Sequence, residues 1–61
     1  MNTIPRFMNE YASYKRKQVN ARQMFTEQER QELCSTIDRC LSAYARGLMT
    51  VDGVMRKMTE L

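Results

Sequence analysis

The residues of this 61-residue chain that could carry chemistry are few and of few kinds. Cys34 and Cys40 supply its two thiols, and there is no histidine. A zinc site would therefore lack ligands, and neither thiol has an imidazole beside it in sequence to act as base. Six residues apart on one helix, the two cysteines stand roughly 9 Å apart along the axis, too far for a bridge within that helix. Two reduced, half-buried thiols are expected, the sharper alternative being a bridge between two chains. Glu27, Glu29 and Glu32 could offer acid–base chemistry, but they crowd a helix start, where negative charge is favoured without any catalytic role. There is no Gly-rich phosphate loop, so an enzyme, a bound metal and a cofactor are all unexpected.

A second group could bind without reacting. Lys15, Arg16, Lys17 and Arg22 could contact phosphates, with Tyr11 and Tyr14 available to stack on bases. Against this, three adjacent basic residues fan around a helix and do not line up as a stripe. Charge is unevenly placed. Residues 1–25 carry five basic and one acidic side chain, or +4; residues 26–61 carry five basic and six acidic, or −1; the sum is the net +3. The basic character thus lies in the first part of the chain.

The stretch that must position these groups is Thr26 to Gly47. Thr26 and Glu29 have the spacing of a capping box. Gly47 suits the left-handed residue just past a helix end, with Leu48 folding back onto the last turn. Leu33, Ile37, Cys40 and Tyr44 step by four, three and four, and Cys34, Leu41 and Leu48 widen that seam. This predicts an amphipathic helix over residues 26–46.

Before it, Pro5 fits a first helical position, and a helix over 5–24 is expected behind a short tail. Phe7, Tyr11, Tyr14, Gln18, Ala21 and Phe25 again alternate steps of four and three, with Met8 beside them. Gln18 in such a seam costs stability but can fix register. The connection through Met24 and Phe25 is short, which favours antiparallel neighbours. After Gly47, Thr50 is a second cap, Met49 and Val54 match a hydrophobic staple, and Asp52 is spaced to pair with Arg56. A short helix over 50–60 follows, weakened by Gly53.

The predicted architecture is therefore all-α: one domain over residues 1–61, an antiparallel helical hairpin plus a short third helix. A single core of this size is close to break-even, so a dimer completing the bundle is expected. Val51, Val54, Met55, Met58 and Leu61 form one apolar stripe on the third helix. Its spacing suits a helix laid into a partner's groove, or the closing of the hairpin's own core. Met24 and Met49, which flank turns, are expected in the core. The start of the chain lacks a signal peptide's apolar stretch, and no apolar run approaches membrane-spanning length, so a cytoplasmic protein without a membrane partner is expected.

In type, the small size, the capped TEQERQEL segment and the GLMTVDGVMRKM ending resemble the very short helical accessory proteins encoded in early regions of lambdoid temperate bacteriophages. That resemblance implies a non-enzymatic regulatory or adaptor protein that binds host or phage proteins, or one that modulates gene expression. It carries over no residue roles. The competing reading is a nucleic-acid-binding regulator using the basic first helix.

Overall fold

The computed structural model describes all 61 residues: three helices, α1 (Arg6–Ala21), α2 (Glu27–Ala45) and α3 (Val51–Thr59), and no strand. Each connection has a local cause. At the start of α2 the capping box is complete: the Glu29 N–H donates to Thr26 Oγ1 at 3.1 Å, and the Thr26 N–H donates to Glu29 Oε1 at 2.9 Å. Two donors left over at the helix start are thereby satisfied. At its other end Gly47 has φ +78°. The Leu48 N–H donates to the Ala43 carbonyl and the Gly47 N–H to that of Tyr44, the paired bonds of a Schellman motif. Leu48 returns only with its backbone, because its side chain is exposed. Thr50 caps α3, accepting from the Gly53 N–H at 3.1 Å.

Two helix ends are closed by long-range contacts. No basic residue stands in the last turn of α1. Instead Arg30 of α2 donates from Nη2 (2.8 Å) and Nε (3.3 Å) to the Arg22 carbonyl. This puts a guanidinium at the negative end of the α1 dipole. With that carbonyl engaged, Arg22 leaves the helical region (ψ 108°), and α1 stops at Ala21, short of the expected residue 24. The segment before α1 is likewise no free tail. The Asn2 N–H donates to the Ala45 carbonyl at 2.8 Å and its Nδ2 to that of Tyr44 at 3.2 Å, at the end of α2. Pro5 serves as the N-cap of α1, one position earlier than expected.

The core gathers Met8 and Ala12 of α1, Ile37, Cys40 and Leu41 of α2, and Val54 and Met58 of α3. Ile4, Tyr11, Tyr44, Met49, Val51, Met55 and Leu61 pack around it. Between α1 and α2, Arg16 meets Asp38 and Asn20 meets Cys34, and Asn2, ahead of α1, meets Ala45. On α2 the middle of the expected seam, Ile37 and Cys40, faces inward together with Leu41, while Tyr44 packs at the edge of the core and Leu33 is half-buried outside it. On α1 the expected seam is not the inward face. The buried residues are Met8, Ala12, Lys15 and Val19, a seam of the same four-three-four spacing displaced by one residue. One residue is about 100° of helix rotation. Phe7 is consequently 52% exposed and Tyr14 57%, while Met8 is fully buried.

The displacement follows from side-chain shape. Ala12 and Val19 are slender and wholly apolar, and Met8 is unbranched, so α1 can approach two other helices at once. Tyr11, Tyr14 and Gln18 each carry a polar end that needs a partner or water. Tyr11 finds one at the edge, its hydroxyl 3.2 Å from Thr59 Oγ1 of α3. Tyr14 stays outside, stacked on Tyr11 with ring centroids 6.0 Å apart. Gln18 remains half-buried, its Oε1 enclosed without a hydrogen-bond partner. Met24 is exposed, against the expectation that it fills the core, and Asp52 forms no ion pair with Arg56.

Candidate functional site: the aromatic face of the first helix

Neither group of residues that sequence reasoning put forward forms an open binding surface. The α3 stripe lies inward. Val54 and Met58 have no exposed surface, and Val51, Met55 and Leu61 pack against the core. The surface expected to meet a partner instead closes the chain's own core. A helix of nine residues has too few internal hydrogen bonds to stand alone, so its apolar face is spent on the hairpin.

The basic cluster is dispersed. Lys15 is 5% exposed and has neither hydrogen bond nor ion pair; its aliphatic stem lies within the packed side of α1. Arg16 is bound to Asp38 of α2 through a charged hydrogen bond. The Arg22 guanidinium lies over the Phe25 ring, 5.5 Å from its centre, a cation–π arrangement. Of the four, Lys17 alone projects freely. The one-residue rotation that exposes the aromatic rings is also what buries Lys15. Tyr11 and Tyr14 stack on each other, and Tyr11 is tied to Thr59.

What the rotation leaves outside is a stripe along α1. Phe7 and Tyr14 are exposed two helical turns apart, and Tyr11 and Gln18 are half-buried between and beyond them. On one side of the stripe Tyr11 reaches α3; the opposite rim carries Glu10 and Lys17, both exposed, with Arg6 bonded to Glu10 at 2.9 Å. Three rings, two of them with hydroxyl ends, held on one helix and half open to water, can bury apolar area against another surface at little conformational cost. The heptad spacing that carries these residues was readable in sequence; which of two adjacent heptad sets faces inward was not.

Elsewhere the surface offers less. A shallow depression between Phe25, Leu33 and Leu61 is rimmed by Glu29, Glu32 and Glu60, a setting that repels anions. Hydrogen bonds from the Thr26 backbone and hydroxyl hold the Glu29 carboxyl below its ordinary 4.5, as expected for a capping carboxylate. Burial pushes the Cys40 thiol above its ordinary 9.0, with Lys57 partly opposing, so at neutral pH it is protonated and poorly nucleophilic. Cys34, half-buried, is bonded weakly to Asn20 at 4.0 Å. No three His, Cys, Asp or Glu side chains come together as metal ligands, and no helix is long and apolar enough to cross a membrane. No family model, curated protein or solved structure matches the chain.

Proposed function

We propose that this chain is a small non-enzymatic regulatory or adaptor protein that acts in the cytoplasm by protein–protein contact through the aromatic face of α1. The observation that carries the reading is the exposure of Phe7 and Tyr14 on the ordered surface of a helix whose neighbouring Met8, Ala12 and Val19 are wholly buried. Large apolar side chains clustered on one face of a small monomer mark interaction sites. The contacts of Asn2 with Ala45, Arg16 with Asp38 and Asn20 with Cys34 support an antiparallel hairpin as the frame behind that face. The resemblance in type to phage early-region accessory proteins supports a host or phage protein as the regulated partner.

Nucleic-acid binding through Lys15, Arg16, Lys17 and Arg22 is the weaker reading, because the four point to different surroundings and Lys15 is enclosed. The two make opposite demands. Immobilised wild type is incubated with bacterial lysate, with and without nuclease, beside Phe7→Ser/Tyr14→Ser and Lys17→Gln/Arg22→Gln variants whose helicity is verified by circular dichroism. The expected result is a bound protein that survives nuclease, is lost with the aromatic variant and is little affected by the basic one. Loss of every bound species after nuclease, with affinity falling steeply in salt, would overturn the proposal in favour of phosphate contact.

A further inference from the structure

Resting on that reading, we infer that the α1 face pairs with the same face of a second copy of this chain, the two α1 helices running antiparallel. The stripe is self-complementary. Taking Tyr11 and Gln18 as one heptad position and Phe7 and Tyr14 as the other, antiparallel pairing sets Phe7 opposite Gln18 of the second copy and Tyr11 opposite its Tyr14. Each large ring then meets either a ring or the open part of the half-buried Gln18 side chain, and the contact repeats about the two-fold axis.

Charge on the rim selects the direction. Glu10 and Lys17 stand seven residues apart on one edge of the stripe, both exposed. Antiparallel helices place like edges against each other. Glu10 of each copy therefore faces Lys17 of the other, giving two symmetric attractive pairs in which Glu10 is shared with the Arg6 it already binds in its own helix. A parallel pairing would instead set Glu10 towards Lys15 of the second copy, which is buried, and Lys17 towards the non-helical end of α1, so neither charge would gain an exposed opposite partner. The helix dipoles favour the antiparallel arrangement as well. It also sets the start of one α1 beside the end of the other, where Met1 and Met24 are both almost wholly exposed. A contact built on one helix face is small by the standard of stable interfaces, which places the association in the micromolar range or weaker and leaves the face exchangeable with a foreign partner.

The experiment is sedimentation equilibrium of the full chain from about 10 μM to about 1 mM, a range bracketing such an affinity. Wild type, Tyr14→Ser, Glu10→Lys and Glu10→Lys/Lys17→Glu are compared, each with helicity verified. The expected results are a wild-type monomer–dimer equilibrium, loss of dimer in Tyr14→Ser, and association about tenfold weaker in Glu10→Lys, as two surface ion pairs become repulsive. The charge-exchanged double variant should return to within about threefold of wild type, since its two pairs are reversed but again opposite in sign. A wild type that stays monomeric throughout overturns the inference. So does a double variant no better than Glu10→Lys alone, which would leave a dimer of another direction or surface. Neither result touches the wider reading, which fails if the Phe7→Ser/Tyr14→Ser variant keeps every foreign protein that wild type binds, or if nuclease removes every bound species.

Discussion

The first and second helices carry the same kind of pattern and put it to different uses. On α2 the seam's Ile37, Cys40 and Tyr44 meet the core, with Leu41 beside them, and Leu33 alone of the seam lies outside it, half-buried. On α1 the seam with the larger side chains, Phe7, Tyr11, Tyr14 and Gln18, runs along the surface and its edge. A neighbouring set, Met8, Ala12, Lys15 and Val19, does the packing. The difference is that α2 has one apolar stripe with polar residues on its other faces, whereas α1 has two stripes side by side. Periodicity reports that a face exists; when two faces compete, volume and polar ends decide. In a chain this small α1 must touch both α2 and α3, and slender, fully apolar side chains allow the closer approach. The bulkier stripe is left for something outside the chain.

The largest effect should separate two adjacent residues. Met8 is fully buried and Phe7 half exposed. Met8→Ala is expected to cost about 3 kcal/mol, in the range of buried large-to-small changes. Phe7→Ala should cost below about 1 kcal/mol, as surface changes usually do. Urea unfolding of both variants at low micromolar concentration, where self-association contributes least, checks the comparison. Equal costs, or the reverse order, would mean that α1 is rotated back towards the seam of Phe7 and Tyr14.

That pair also marks where sequence reasoning stops. Capping signals are local: Thr26 with Glu29, Gly47 and Thr50 each act within a few residues, and each takes the role its position suggests. The inward face of α2 was legible because it had no rival. The closure of α1 by Arg30, and the pinning of Asn2 to the end of α2, join residues 8 and 43 positions apart and follow no periodicity. Lys15 was misread for a related reason. A lysine looks like a solvent residue, yet its four-carbon stem serves as packing when its helix turns that way. The α3 stripe had two equally good uses, and the need of a nine-residue helix for support decided between them.

A smaller effect tests the turn that returns α3 to the hairpin. Gly47 has φ +78°, and a Cβ there would meet nothing within 4 Å. The cost of Gly47→Ala is thus conformational alone, about 1 kcal/mol, from holding a side-chain-bearing residue in the left-handed region. It should appear as a lower urea midpoint with an unchanged slope. A neutral result would mean that this turn relaxes freely, and that α3 is held less firmly than the burial of Val54 and Met58 implies.

The smallest effect concerns the capping box at the head of α2, the end of the fold whose role was most plainly written. The Glu29 carboxyl is held below its ordinary 4.5 because its charged form accepts from the Thr26 N–H and interacts with the Thr26 hydroxyl. A group with a depressed folded pKa adds stability that is fully present above the unfolded value and disappears as pH falls through the folded one. Near pH 7 the wild type should therefore be slightly more stable than Glu29→Gln, whose amide oxygen can still accept the cap bond but carries no charge for the helix dipole. Below pH 4.5 that advantage should shrink towards zero, while the other carboxylates titrate alike in both proteins and cancel in the difference. Paired thermal melts from pH 7 to pH 2.5 read it out. An advantage that stays flat across this range would show that Glu29 acts only as a hydrogen-bond acceptor, and that the start of α2 owes nothing to the carboxylate's charge.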